Sequence, residues 1–387
     1  MPRRPFSDPV ALVIAERDPA AFWRALSRAE RTARLAELRL DYLDSVAAIV
    51  RVLERLARLH SAKVPGRKRG QARRRPRLTL IATCRRRPDG GEFSGSPSAQ
   101  LALLALAARA GCQWVDVDAA TLEAFPARLR RALLPPARRL VSLHDFRRCP
   151  PRLEALVGRL RGLGADKVKL AVTPRSYREL VSLLALTRRH RERLIAVPMG
   201  AVGLPGRVLA LRAGSPLVYA APEGGAAVAP GQLGWSELHD LYRAPRLNHR
   251  TRVYGLVGQP VGHSLSPPMH NAALEQARVN GVYLPFEVRD LRDFLAAVEP
   301  LGLAGFSVTH PHKQAILRHL DGVDPLAERM GAVNTVVVRG RGRLYGYNTD
   351  YVGVLRTLQR SLRLEGAQAL LVGAGGAARA VAFALAA

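Results

Sequence analysis

A lysine near the end of an apolar segment is the residue in this sequence best suited to covalent chemistry. Residues 164–172, GADKVKLAV, form a run rich in apolar and β-branched residues before Thr173 and Pro174, which predicts a buried strand carrying Lys169 near its end. Only five of the 60 basic Lys and Arg residues are lysines. An amine, unlike a guanidinium, can lose its proton and attack a carbonyl carbon. The pattern indicates an amine nucleophile, with a lysine that reaches past the strand end to water as the alternative.

Eight strand-like segments precede residue 245, and helical patterns such as 98–110 and 151–163 separate them. This alternation predicts a (β/α)8 barrel, a fold of about 250 residues. The polar basic stretch 61–76 is predicted to be a solvated loop, with an anion-binding arm as the alternative. The predicted strands are 10–15, 35–40, 78–83, 114–117, 140–143, 168–172, 194–197 and 217–220.

Polar side chains follow the predicted strands, and the active sites of such barrels lie where the strands end. Together these side chains supply an amine, an imidazole base and several cations for a carboxylate. Each alone has a structural explanation, since Glu37 and Arg39 could simply pair and His144 could be a hydrogen-bonded core histidine. The set comprises Glu37, Arg39, Arg85, His144, Lys169, Arg207 and Gln232.

Composition limits the classes of function. The net charge is +29, but only 5% of residues are aromatic and the arginines are scattered, so anionic small substrates are favoured over nucleic acid. The three cysteines lack metal or disulfide spacing, which predicts a reducing compartment and no metal site. Segment 10–15 is too short for a signal peptide, and no apolar run reaches 18 residues, so we expect a cytoplasmic protein that does not enter the membrane.

Five motifs of the first part resemble the type I 3-dehydroquinate dehydratases. The resemblance implies that Lys169 forms a Schiff base with the substrate's ring ketone and that His144 is the general acid and base, without a cofactor. Burial among cations would lower the pKa of such a lysine. The resemblance also implies that Arg85, Arg207 and Gln232 hold the substrate and that Glu37 and Arg39 close the floor of its site. The motifs are ELRLDYL (37–43), TCRRRPDGGEF (83–93), SLHDF (142–146), GADKVKLAV (164–172) and APGQ (229–232).

The chain departs from that family at two positions. Asp89 stands where the family usually has a glutamate, so its contact with His144 is expected to be longer. Val228 stands where a serine is usual, which removes a hydroxyl from the loop over the site. Because the amine and the imidazole are present, we expect a weakened or retuned site rather than a dead one.

After a polar linker at 244–251, four further motifs resemble the substrate domain of the shikimate dehydrogenases. The resemblance implies a catalytic pair of Lys313 and Asp350, with Ser264, Ser266, Thr309 and Asn334 as substrate contacts. The alternatives are serines that merely cap the helix beginning near Pro267 and an exposed ion pair. His310 has no role assigned by the resemblance. The motifs span 253–274, 305–313, 331–337 and 346–353.

The segment 369–385 is predicted to form a buried strand, a glycine turn and a helix. It resembles the start of an NADP-binding domain, in which Gly373, Ala374, Gly375, Gly376 and Ala377 would approach a pyrophosphate at the helix N-terminus. A doubly wound domain needs several further βα units, so we expect the sequence to be the front part of a longer fused enzyme and 369–387 to pack poorly or be mobile.

These observations predict three regions: a dehydratase barrel at 1–245, a dehydrogenase substrate domain at 252–362 and a truncated first βα unit of a Rossmann domain at 363–387. The expected substrates are 3-dehydroquinate and 3-dehydroshikimate, with NADP serving the second reaction and a homodimer left open. One alternative is an active dehydratase with a nonfunctional dehydrogenase remnant. The other is a basic nucleic-acid-binding protein built on enzyme-derived folds.

Overall fold

The computed structural model describes residues 6, 8–61, 78–133, 136–225, 227–361, 363 and 365–386. The chain divides into two compact units, one of Met1–Arg175 with Ser182–His249 and the other of Ser176–Val181 with Arg250–Ala387. The basic stretch predicted as a loop lies, after Ser61, outside the described residues.

The first unit is built on one parallel sheet of eight strands. The order is β7-β6-β5-β4-β3-β2-β1-β8, and among the described residues the two outer strands are not hydrogen-bonded to each other, so the barrel is nearly closed. The strands are β1 (Val10–Ile14), β2 (Leu35–Arg39), β3 (Thr79–Thr83), β4 (Trp114–Asp118), β5 (Arg138–Asp145), β6 (Lys167–Val172), β7 (Leu194–Pro198) and β8 (Val218–Ala220).

Helices connect these strands, and several begin at the caps that their sequences supply. Asp18 accepts a hydrogen bond from the Ala21 amide before α1, and Ser96 accepts one from the Ala99 amide before α3. The helices are α1 (Pro19–Thr32), α2 (Val46–Ser61), α3 (Pro97–Arg109), α4 (Ala119–Glu123), α5 (Ala127–Leu133), α6 (Leu153–Gly162), α7 (Tyr177–Arg189) and α8 (Gly200–Ala213).

The predicted barrel is confirmed, and each predicted strand overlaps an observed one. Strands of a parallel sheet are buried on both faces, so they appear in the sequence as nearly continuous apolar runs. The barrel interior beneath the polar strand ends is filled by Val13, Leu35, Ile81, Trp114, Leu140 and Ile195.

The second unit holds a mixed six-stranded sheet in the order β10-β9-β11-β13-β14-β12. Strands β9, β10 and β11 are parallel, whereas β13 is antiparallel to both of its neighbours. The strands are β9 (Arg252–Gly258), β10 (Gly281–Glu287), β11 (Leu303–Val308), β12 (Gly322–Val323), β13 (Thr335–Arg339) and β14 (Arg343–Tyr347). The helices are α9 (Ser266–Gln276), α10 (Leu291–Leu301), α11 (His312–Ala315), α12 (Pro325–Met330), α13 (Asp350–Ser361) and α14 (Gly376–Leu385).

The strand predicted from residue 369 is wrong, although the helix after it forms. Residues 367–374 are irregular, and the side chains of Leu370 and Val372 are 92% and 87% exposed. A strand is stable only when a neighbouring strand pairs with it, and no described strand lies beside this segment. Among the described residues, every helix is too short or too polar to cross a lipid bilayer.

Glycine at position 255 allows close packing in the second sheet. A Cβ atom there would lie 2.5 Å from the ring of the fully buried Phe286. We therefore expect Gly255→Ala to lower the free energy of unfolding by about 1–3 kcal/mol, measured by urea denaturation. A Cβ at Gly340 would meet nothing within 4 Å, so Gly340→Ala is the matched control. Equal stability of the two variants would contradict this packing argument.

Candidate active sites

Lys169 lies on β6 inside the barrel, and its side chain is 5% exposed. Its Nζ donates to Asp116 Oδ2 at 2.8 Å and to Glu37 Oε1 at 3.4 Å, and it lies 4.2 Å from the centroid of the Tyr219 ring. The alternative of a lysine that extends into water is therefore wrong. Its nearest charged neighbours are carboxylates, so the expected setting among cations is only partly correct.

Arg85 connects two carboxylates at the end of β4. Its Nη2 donates to Asp116 Oδ2 at 2.9 Å and its Nε to Asp118 Oδ1 at 3.1 Å. Burial alone would raise the pKa of Asp116, but Lys169 and Arg85 hold that pKa well below its usual range. Asp116 therefore stays ionised and fixes both cations in place.

His144, at the end of β5, has a buried side chain that is 5% exposed. Its Nδ1 lies 3.6 Å from Asp118 Oδ1 and has no hydrogen-bond partner among the described residues. Burial lowers the pKa of His144 well below 6.5, and the charges of Arg85 and Lys169 lower it further. The imidazole is thus neutral at pH 7, the form in which it can accept a proton.

The lowered pKa of His144 predicts a loss of stability in acid. In the unfolded chain a histidine has a pKa of about 6.5, so below that pH the unfolded state binds a proton that the folded state does not. The contribution of this histidine is complete above pH 6.5 and falls by up to about 1.4 kcal/mol per pH unit below it. We expect His144→Gln to flatten the fall in unfolding free energy between pH 6.5 and 5.5, measured by urea denaturation. An unchanged slope would contradict a depressed pKa.

The structural alternative for Glu37 and Arg39, that they simply pair with each other, is wrong. Arg39 instead makes two hydrogen bonds to Asp41, from Nε at 3.0 Å and Nη2 at 2.8 Å. Glu37 accepts a hydrogen bond of 2.7 Å from Thr83 and faces Lys169. The two residues, though close in sequence, belong to different parts of the polar network.

Arg207 and Gln232 line the same cavity as Lys169 and His144. The Arg207 Nη2 donates to the Pro230 carbonyl at 2.7 Å, while its Nε is buried without a hydrogen-bond partner among the described residues. Burial lowers the pKa of Arg207 to about 10. Gln232 Oε1 accepts a hydrogen bond of 2.8 Å from the amide of Val228, which adds an apolar side chain to the wall. A buried guanidinium of this kind favours an anionic ligand.

Asp89 has a different partner from the one that its sequence position implies. Its Oδ2 lies 3.4 Å from Arg86 Nη2, whereas Asp118 supplies the carboxylate oxygen nearest to His144 in the described part of the chain. The chain therefore offers His144 a carboxylate from β4 rather than from the loop after β3.

One narrow cavity of about 40 Å³ joins most of the predicted residues of the first unit. Phe146 and Ala229 also line it, and Phe146 lies so close to Gly90 that a Cβ at Gly90 would be 2.1 Å from the ring. The predicted residues that line the cavity are Glu37, Arg39, Arg85, His144, Lys169, Arg207 and Gln232.

Sequence reasoning found Glu37 but missed three other carboxylates of this site. Asp116 and Asp118 alternate along β4 and so point to the same face, the barrel interior, where they contact Lys169 and Arg85. Asp41 follows β2 and holds Arg39. The signal available was the sequence WVDVD, in which two acids occupy alternate positions of a buried strand.

In the second unit, Lys313 and Asp350 form an ion pair, with 2.5 Å between Nζ and Oδ2. Their side chains are 19% and 31% exposed, so the pair is partly buried rather than fully solvated. Asn334 Nδ2 donates to Asp350 Oδ1 at 2.7 Å and to Thr349 Oγ1 at 3.0 Å. Both oxygens of the Asp350 carboxylate therefore have a partner, Lys313 at Oδ2 and Asn334 at Oδ1.

A cleft of about 810 Å³ opens beside this pair. Thr309, His310 and Lys313 line it on one side, and Gly375 to Ala377 line it on the other. Ser264 and Ser266 do not border this cleft. They lie at the start of α9, where Ser264 Oγ accepts a hydrogen bond of 3.2 Å from the Ser266 amide.

The glycine turn fits an anionic ligand such as the pyrophosphate of a dinucleotide. Gly375 caps α14, and a Cβ at Gly373 or Gly375 would meet nothing within 4 Å, so a ligand has room there. The first amides of α14 lack partners within the helix, as anion sites at helix N-termini require. Gly376 has a different role, since a Cβ there would lie 3.0 Å from the Cβ of Lys313.

Two family descriptions match this chain. Residues 10–249 match the family type I 3-dehydroquinase, and this match covers more than half of the chain. Residues 256–336 match the shikimate dehydrogenase substrate binding domain.

The chain is also similar to three named proteins. A bifunctional 3-dehydroquinate dehydratase/shikimate dehydrogenase of Arabidopsis thaliana is 34% identical, with 79% of this chain and 54% of the relative covered. The shikimate biosynthesis protein AroDE of Chlamydia pneumoniae is 32% identical, with 71% and 57% covered. A shikimate dehydrogenase (NADP(+)) of Bacillus cereus is 50% identical, with 35% and 50% covered. The chain thus spans about half the length of these relatives.

Proposed function

This chain belongs to the type I 3-dehydroquinase family and also carries a shikimate dehydrogenase substrate-binding domain, and on that premise we propose that it serves two consecutive reactions. The first unit dehydrates 3-dehydroquinate to 3-dehydroshikimate through an imine on Lys169. The second unit binds 3-dehydroshikimate for reduction to shikimate with NADPH. We place these functions at 1–245 and 252–362, and the start of the dinucleotide-binding region at 363–387.

The observation that carries the first assignment is the buried amine of Lys169 in one cavity with the neutral imidazole of His144. The amine attacks the ring ketone, and loss of one water gives an iminium. The iminium withdraws electrons from the neighbouring carbon and so acidifies its C–H bond. His144 takes that proton and then returns it to the departing hydroxyl, which leaves as water. Hydrolysis of the remaining imine frees the amine and the product.

Cations of the cavity would bind the substrate's carboxylate. Arg207 has a buried Nε without a partner among the described residues, and Arg guanidinium groups bind carboxylates through two parallel hydrogen bonds. Arg85 is already held by Asp116 and Asp118, so its main role would be to position the network. Because the cavity is narrow, Phe146 and the loop at 228–232 must move to admit a six-membered ring.

The second unit would move a proton at the substrate's oxygen. Lys313 and Asp350, 2.5 Å apart, can hold and exchange that proton, and Asn334 keeps the carboxylate oriented. Bound NADPH would supply the hydride. Gly373, Gly375 and the first amides of α14 would hold its pyrophosphate. Gly375 and Gly376 line the same cleft as Lys313.

Two assays test the proposal. Incubation with 3-dehydroquinate and borohydride should leave a reduced adduct on Lys169, found by peptide mass spectrometry. An adduct-free Lys169 in a folded protein would refute the first assignment. Oxidation of NADPH in the presence of 3-dehydroshikimate tests the second unit. Failure of only that assay would leave an active dehydratase without dehydrogenase activity.

A further inference from the structure

We propose that Asp118 is the positioning residue of His144, accepting a hydrogen bond from Nδ1 so that Nε2 faces the substrate. This inference rests on the function proposed above and deepens it. It assigns to β4 a role that the sequence position of Asp89 implied for the loop after β3.

The first argument is that His144 lacks a partner. Its Nδ1 is buried and makes no hydrogen bond within the described part of the chain. A buried ring nitrogen without a partner is costly, so a nearby acceptor is needed. Asp118 Oδ1, at 3.6 Å, is just outside hydrogen-bond distance, and catalytic hydrogen bonds are often long before substrate binds.

The second argument is that Asp118 is rigid and has acceptor capacity left. Its Oδ1 accepts from Arg85 Nε at 3.1 Å and from Ser142 Oγ at 3.2 Å, and its Oδ2 accepts from Gln100 Nε2 at 3.0 Å. A carboxylate has about four acceptor positions, so three donors leave one free, and it lies on Oδ2. A hydrogen bond from His144 Nδ1 therefore either reaches Oδ2 or shares Oδ1 with Arg85 and Ser142. The donors come from the segment after β3, from β5 and from α3, which fixes the carboxylate from three sides.

The third argument concerns Asp89. Its carboxylate is shared with Arg86 at 3.4 Å, and its side chain is 18% exposed, compared with 3% for Asp118. A partly solvated aspartate that already has a cation is a weak candidate for orienting a buried imidazole. Asp118 is both nearer to the ring and more completely shielded from water.

The charges around His144 decide how an Asp118 contact would act. Burial and the cations Arg85, Lys169 and Arg39 disfavour the imidazolium, while Asp116 favours it. The ring is therefore neutral, and the partner of one nitrogen decides which nitrogen carries the proton. An Nδ1–H donated to Asp118 leaves the Nε2 lone pair free to take the substrate proton.

Kinetics of the full chain with 3-dehydroquinate test this role. We expect Asp118→Asn to lower kcat about 100-fold while KM changes less than about threefold, because an amide can stabilise the wrong tautomer. The borohydride adduct on Lys169 should persist, since the amine is untouched. The kcat of Asp118→Glu should be at least about tenfold higher than that of Asp118→Asn, because glutamate restores a carboxylate acceptor. The kcat of Asp89→Asn should also be at least about tenfold higher than that of Asp118→Asn. The reverse order of the two asparagine variants would overturn the proposal.

A second measurement does not depend on activity. The ¹⁵N shifts of the His144 ring should show Nδ1 protonated in the parent at pH 7 and the proton moved toward Nε2 in Asp118→Asn. An identical tautomer in both proteins would overturn the proposal even if kcat fell. Asp166→Asn, on the barrel surface beside Arg139, is the matched control for a lost carboxylate. A parent that forms no imine would refute the proposed function alone, because the ring shifts still decide the role of Asp118.

Discussion

Replacing Lys169 by methionine is expected to lower the dehydration rate by at least about 10⁴-fold, because the reaction loses its covalent route. Methionine is also long and unbranched, so it can fill the space beside the Tyr219 ring without an amine. The rate is measured by the absorbance of 3-dehydroshikimate, and the borohydride adduct should disappear with it. Circular dichroism should show that the barrel remains folded.

The arginine variant separates charge from nucleophilicity. Lys169→Arg keeps a cation beside Asp116 and Glu37, yet a guanidinium does not form an imine. We expect it to be as inactive as the methionine variant. Lys167 begins the same strand and donates to the backbone carbonyl of Glu192, so Lys167→Met is the matched control and should keep the adduct. An arginine variant that dehydrates substrate at the parent rate would exclude the imine mechanism.

The barrel could be predicted from the sequence because its strands are apolar runs bounded by turn residues. Strand β6 illustrates this, since 168–172 was predicted and Lys167–Val172 is observed. The pattern also shows which residues share a face with Lys169, because alternate residues of a strand face the same side. What the pattern could not provide is which side faces the barrel interior.

The carboxylates beside Lys169 show where sequence reasoning fails. Glu37 and Arg39 lie two residues apart on one strand, which allowed a local pair, but Lys169 is instead held by Asp116 of β4, 53 residues away in the sequence. The partner of Arg39 is local after all, since it is Asp41, two residues further along the chain. Distant partners such as Asp116 are set by strand order and register, as in the pairing of Ala82 with Val115 between β3 and β4. Tertiary contacts of this kind have no local signature.

The strand predicted before α14 fails for a different reason: its local signal is strong, but a neighbouring strand is missing from the described residues. The run ALLV at 369–372 has the composition of a buried strand, and that local signal was correct for strands that have neighbours. Without a described strand beside it, the segment stays irregular, while α14 forms and its Arg379 Nη1 donates to the Met330 carbonyl at 3.4 Å. A helix satisfies its own backbone, whereas a strand depends on another strand.

Replacing His144 by glutamine is the second change with a large expected effect, and it should separate imine formation from proton removal. Glutamine is similar in size and polarity but cannot act as a base at neutral pH. We expect kcat to fall about 10³-fold, within the usual range for loss of a general base. The imine on Lys169 should still form, so borohydride trapping should give as much adduct as in the parent.

Hydrogen exchange at the carbon next to the imine shows which reaction step is blocked in His144→Gln. In the parent, substrate deuterated at that carbon should be dehydrated more slowly than ordinary substrate. In His144→Gln, the substrate held as an imine on Lys169 should keep its deuterium. Loss of the adduct in this variant would mean that the imidazole is needed to form the imine as well. His144 and Lys169 line the same narrow cavity, so the imidazole could act at either step. Retained adduct with retained deuterium assigns it to proton removal, and lost adduct assigns it to imine formation as well.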